Sequence, residues 1–150
     1  MGIGGTNPTG TMSISDSELA LISASYGSGK EITFESTKGP IEVFGASFSN
    51  AGTAAVVIKT VATKDITFST ANSAFGYLTV TSAKGITLNK KVSTGTGALS
   101  MTYSAGSLAA GSDAELDSAG AMTLTAGSTD YSLTGADPLP IYAAGDLAVS

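Results

Sequence analysis

The sequence predicts an all-β chain wound as a parallel β-helix, a β-solenoid of about five to six rungs of roughly 20–25 residues over residues 12–150. Three observations lead there. A short apolar–x–apolar word recurs as ITFES at Ile32, VVIKT at Val56, LTVTS at Leu78, LSMTY at Leu99, MTLTA at Met122 and DLAVS at Asp146, with starts 24, 22, 21, 23 and 24 residues apart. A second series runs between them, IEVFG at Ile41, ITFST at Ile66, ITLNK at Ile86, SLAAG at Ser107 and YSLTG at Tyr131, spaced 25, 20, 21 and 24. The composition suits a thin core: 42% hydrophobic but only 7% aromatic and 13% charged, against about 25% charged in ordinary globular domains. Two interleaved strand series with one shared period describe a coil whose rungs hydrogen-bond about 4.8 Å apart and share one core. A β-sandwich also has many short strands, but it has no reason to repeat its register and would want aromatic anchors.

Residues 1–11, rich in Gly, Thr, Asn and Pro, read as a linker or flexible lead-in. The next stretch, MSISDSELALISAS, offers two readings. Ser15 or Asp16 N-caps a helical turn with Glu18 near its start, or a strand–turn–strand points Met12, Ile14, Leu19 and Leu21 inward. Ile22 breaks the alternation, yet the strand reading is the favoured one. From Lys30 the two-residue alternation is regular. It assigns an inward core stack of Ile32 with Phe34, Ile41 with Val43, Val56 with Ile58, Ile66 with Phe68, Leu78 with Val80, Ile86 with Leu88, Leu99 with Met101, and Met122 with Leu124. Tyr131 with Leu133 and Leu147 with Val149 continue it. The Thr, Ser or Glu between each pair falls on the opposite, wet face. Stretches such as STKGP, SAKG, STGTG and AAGD separate the words and read as corners. The four prolines, Pro8, Pro40, Pro138 and Pro140, avoid the strand centres, where a missing N–H would break a ladder; Pro138 and Pro140 mark a break or bulge.

Charge and residue usage exclude several function classes. There is no Cys and no His, so no disulfide, no thiolate metal site and no His-based base or triad. All seven basic residues are Lys, placed between Lys30 and Lys91, and the net charge is −5, which argues against a nucleic-acid partner. Beyond Lys91 come six acids and no base: Asp113, Glu115, Asp117, Asp130, Asp137 and Asp146. No apolar run approaches the roughly 18 residues of a membrane span, and no signal peptide is visible.

Motifs with chemistry are few. Gly27–Lys30 spells G-S-G-K, but Glu31 stands where a phosphate loop needs Ser or Thr and Ala24 where its first Gly belongs, so it reads as a corner. Asp113, Glu115 and Asp117 share one strand face and form a weak Ca²⁺ candidate, since calcium takes about six or more oxygens. Asp65 and Glu42 are placed as neighbours across rungs, beside a strip of Lys59, Lys64 and Lys84. A polysaccharide-cleaving β-helix would use such a set, but a solvated face is the plainer reading. Thr79/Thr81 and Thr123/Thr125 have the spacing of an ice-binding ladder. Thr67 pairs with Ser69 and Thr87 with Asn89, so that ladder reads as broken. No catalytic residue, metal or cofactor is expected, and the chain is not expected to be an enzyme.

The stretch SISDSELALISAS, followed by KEITFESTKGPIEVFGAS, TKDITFST, AKGITLNKKVSTGTGALSMTYSAG and AGAMTLTAG, resembles the repeat region of filamentous haemagglutinin-type bacterial exoproteins, many exported by two-partner secretion. The module opening is matched from Ile14 to Ala24 and the resemblance covers about residues 12–150. It implies a right-handed parallel β-helix serving as a non-enzymatic rod outside the cell or on its surface, in adhesion or as a fibre shaft. The Asn-Pro signature of the secretion domain of such proteins is not met by Asn7-Pro8 alone, which favours an internal shaft segment. The expected partners are further repeats or copies of the chain stacked end to end, head to tail in a fibre. Surface glycans are a further candidate partner, bound through Tyr77 or Tyr142.

Overall fold

The computed structural model describes residues 1–5, 13–25, 30–48, 55–61, 63–127, 133–134 and 139–150. Two short strands, β1 (Gly2–Ile3) and β2 (Ser13–Ile14), and one helix, α1 (Asp16–Ser25), open the chain. An incomplete turn follows, β3 (Glu31–Ser36) and β4 (Ile41–Val43). Four complete turns of three strands come next. They are β5 (Ala55–Thr60), β6 (Ile66–Phe68) and β7 (Ser73–Phe75); then β8 (Tyr77–Ser82), β9 (Ile86–Leu88) and β10 (Lys91–Thr94). The third is β11 (Leu99–Tyr103), β12 (Leu108–Ala110) and β13 (Glu115–Ser118), and the fourth is β14 (Met122–Ala126), β15 (Leu133–Thr134) and β16 (Ile141–Ala143). The strand β17 (Leu147–Val149) begins another.

Every described pairing is parallel, and the strands form three sheets. A six-stranded sheet runs β3-β5-β8-β11-β14-β17, a seven-stranded one runs β2-β1-β4-β6-β9-β12-β15, and a four-stranded one runs β7-β10-β13-β16. The fold is a parallel β-solenoid. It has about four complete turns rather than five to six, because the recurring word counts passes through the six-stranded sheet. The first and last of those passes lack a full set of strands in the other two.

Register turns the alternation into continuous columns. Ile32, Val56, Leu78, Leu99, Met122 and Leu147 follow one another across the six-stranded sheet, as do Phe34, Ile58, Val80, Met101, Leu124 and Val149. In the seven-stranded sheet, Ile41, Ile66, Ile86, Leu108 and Leu133 form one column, and Ile3, Val43, Phe68, Leu88 and Ala110 another. All sixteen residues assigned inward from Ile32 to Leu124 are buried in a single cluster. Burying each large apolar side chain is worth about 1.5–3 kcal/mol. Phe48 stacks on Phe75 with ring centroids 5.7 Å apart and meets Phe34 at 6.1 Å, filling the wide first turn.

The structure differs from the sequence reading in four places. The favoured strand reading of the second stretch gives way to a helix. Ser15 directly precedes α1, and the Glu18 carboxylate accepts both the Ser15 N–H and its hydroxyl at 2.8 Å, the glutamate half of a capping box, which outweighs the imperfect alternation. Those donors hold the Glu18 carboxyl below its ordinary value. Within the lead-in assigned to residues 1–11, Gly2–Ile3 is a strand hydrogen-bonded to β4 and β2, with Ile3 fully buried; a lone apolar residue between glycines carries no alternation to read. A third strand series, in the four-stranded sheet, accompanies the two that were read. Finally, Leu147 and Val149 sit on the core columns but are 50% and 53% exposed, because no turn covers them. Gly27–Gly29 of the G-S-G-K stretch, Asn7-Pro8, Met12, Asp130, Tyr131, Asp137 and Pro138 lie outside the described residues.

The two ends of the stack are unlike. At the N-terminal end β3 is an edge strand, yet Ile32 and Phe34 are only 7% and 6% exposed. There β1 and β2 extend the seven-stranded sheet, the Asp16 N–H bonds Gly5 O at 3.1 Å, and α1 places Leu19, fully buried, in the same core. At the other end the columns run out uncovered.

Candidate functional site

The outer face of the four-stranded sheet carries the densest charge. On β13 and the turn before it, Ala114, Leu116 and Ser118 are buried, which leaves Asp113, Glu115 and Asp117 to the outside. Register sets β10 alongside, so Lys91 Nζ reaches Glu115 at 2.8 Å and Asp117 at 2.6 Å, and Lys90 pairs with Asp113. The proposed Ca²⁺ cluster is therefore taken up by the lysines of the preceding turn. Among the described residues no group of three or more His, Cys, Asp or Glu is placed to hold a metal. The reason is the parallel register, which delivers two cations opposite three anions.

Hydrogen bonds donated by Lys91 to Asp117 and then to Glu115 raise its pKa above the ordinary value of 10.5, and Lys90 lowers that of Asp113. A lysine whose folded pKa is raised contributes stability that is complete below the unfolded value and is lost as pH rises through the folded one. The difference in melting temperature between the wild type and Lys91→Met is expected to be flat near neutrality and to shrink above about pH 10.5, read by circular dichroism. A difference that grows with alkaline pH would contradict the pairing.

Asp65 and Glu42 are not the across-turn pair expected. Glu42 is level with Thr67, so Asp65 falls two positions away. Asp65 pairs with Lys84 at 3.1 Å and accepts the Gly85 N–H, while Glu42 accepts the Ser69 hydroxyl at 2.8 Å. Lys59 pairs with Glu35 at 3.5 Å, on the six-stranded sheet, so the lysine strip is divided between ion pairs.

The two aromatic candidates behave differently. Tyr142 is exposed, beside Asp117 on the neighbouring strand. The Tyr77 ring lies over Gly97, where an added Cβ would stand 1.8 Å from the ring. Gly97→Ala is expected to displace that ring at a cost of about 1 kcal/mol, a fall of about 2–4 °C in melting temperature. Tyr77→Ala should make the second substitution neutral, and additive losses would contradict the contact.

The ladder read as broken is continuous over three strands of one sheet. Thr67 and Thr87 belong to the seven-stranded sheet, so they never interrupt the series they were compared with. In the six-stranded sheet, Thr79 and Thr81 stand level with Ser100 and Thr102, and these with Thr123 and Thr125.

Sequence reasoning missed a set of buried hydroxyls at two corners. Thr60 Oγ1 donates to Lys64 O at 2.8 Å and accepts the Ala83 N–H, while the Ser82 proton is shared between Gly85 O at 2.7 Å and Lys64 O at 3.0 Å. At the other corner Thr94 Oγ1 donates to Gly97 O at 2.6 Å and meets Ser118 Oγ at 3.1 Å. Corners turn backbone carbonyls inward, where an unpaired one costs about 1–3 kcal/mol. The recoverable sign was a Ser or Thr closing a strand word three residues before a corner carbonyl, as in Ser82–Gly85, Thr94–Gly97 and Ser118–Ala121. Comparison with family models, curated proteins and solved structures finds no match to the chain.

Proposed function

We propose that the chain is a structural, non-enzymatic segment of a bacterial secreted or cell-surface filamentous protein, part of an adhesin or extracellular fibre shaft. The observation that carries this reading is the commitment of many charged outer groups to ion pairs between turns, along all three sheets, which suits a shaft better than a catalytic face. The core columns likewise pass from turn to turn without a break, and the resemblance to filamentous haemagglutinin-type repeats supplies the setting.

Antibody labelling of intact cells is expected to be positive, and labelling only after permeabilisation would contradict the surface setting.

A further inference from the structure

We propose that the outer face of the six-stranded sheet, over β8, β11, β14 and β17, is an ice-binding surface. Its outward positions are Thr79 and Thr81, Ser100 and Thr102, Thr123 and Thr125, then Ala148 and Ser150. Seven of these eight carry a hydroxyl and none a charge. Register fixes them as two columns in four rows. Rows are about 4.8 Å apart and columns about 6.6 Å, close to the repeats between water molecules in hexagonal ice. Threonine is stiff at χ1, so its hydroxyl and methyl groups repeat with the backbone instead of wandering.

Three further observations separate this face from ordinary polar surface. The only side-chain hydrogen bond described within the array is between Thr125 and Ser150 at its end; the hydroxyls of Thr79, Thr81, Ser100, Thr102 and Thr123 have no protein partner among the described residues. This contrasts with Thr60, Ser82, Thr94 and Ser118, whose hydroxyls are all bonded inside the corners. Charge is confined to its borders: on the same face Lys59 and Glu35 pair with each other on β5 and β3, and Asp146 stands exposed beside Ala148 at the other end. The flanks are low on β11 and β14, with Ala98 and Ala121 on one side and Ser104 and Gly127 on the other, while on β8 the Tyr77 ring turns aside over Gly97. An uncharged hydroxyl lattice in regular rows fits a partner that is itself a lattice of water.

The test uses ice as the probe, with crystals grown on a cold stage in a solution of the protein. The wild type is expected to facet the crystals and to hold growth over a gap between melting and freezing temperatures. Thr102→Lys, in the centre of the array, and Thr81→Lys, at its edge, are each expected to reduce the gap to that of buffer while their thermal unfolding stays as in the wild type. Tyr142→Lys, on the outer face of the four-stranded sheet, is expected to leave the gap unchanged. Rounded crystals and no gap with the wild type would overturn the proposal. So would a full gap in both threonine variants, or an equal loss in Tyr142→Lys.

Discussion

Ile66→Asp is expected to abolish the folded solenoid. Ile66 is fully buried in the middle of its column, with Ile41 on one side and Ile86 on the other. A carboxylate there meets only apolar neighbours, and an unpaired buried charge costs several kcal/mol even after it takes up a proton. That is comparable with the roughly 5–15 kcal/mol that holds a whole domain together. The damage is also central, because each turn of a repeat protein is held mainly by its two neighbours. Far-UV circular dichroism and urea unfolding of Ile66→Asp beside Thr67→Lys, one residue along, outward and level with Glu42, give the measurement. Thr67→Lys should unfold within about 0.5 kcal/mol of the wild type, as outward substitutions do. A native melt for Ile66→Asp would overturn the inward assignment of the whole column.

Gly4→Val is expected to strip the N-terminal end. Gly4 has φ +82°, and a Cβ there would stand 2.6 Å from Ala46 Cα. The left-handed conformation is unfavourable for a β-branched residue, of order 1–3 kcal/mol, and the neighbour is backbone, which cannot step aside. Gly4 N also donates to Ile14 O at 2.8 Å, so the strain falls on the bond joining β1 to β2 and hence to α1. The expected result is loss of hydrogen-exchange protection in β1, β2 and α1, while β8 to β13 keep theirs. Exposed Ile32 and Phe34 should then promote association at the end the wild type keeps covered. Uniform loss of protection along the chain would show that this end is not an independent unit.

Two of the three sheets were legible because both inward positions of their words are apolar, as at Ile32 and Phe34 or Ile66 and Phe68. The third was not, because its inward positions mix an apolar side chain with a hydroxyl. Val92 is followed inward by Thr94, Leu116 by Ser118, and Phe75 is preceded by Ser73. Half the apolar signal is missing, and the remainder resembles loop. The helix was hidden differently: its two decisive residues, Ser15 and Glu18, are polar, while the apolar ones fit either period. At the candidate surfaces, residue types could be read but partners could not. Lys90 and Lys91 lie more than twenty residues from the acids they meet, and only the register brings them together. The threonine array was misjudged for the same reason, since words adjacent in sequence belong to different sheets.

The corner hydroxyls bear on how the chain finds its alignment. A slip of two residues between neighbouring strands keeps every apolar side chain facing in, so burial alone opposes it weakly. The acids at Asp113, Glu115 and Asp117 would forgive it too, because Lys91 finds a carboxylate at any of the three. Thr94 would not. Shifted by two, it would leave Ser118 and face the level of Leu116 or Gly120, and the buried corner would lose both the Thr94–Ser118 hydroxyl contact at 3.1 Å and the Ser118 donor to Gly97 O at 3.2 Å. Hydrophobic pattern thus chooses which side of each strand turns inward, and a few hydroxyls hold the stack in its reading frame.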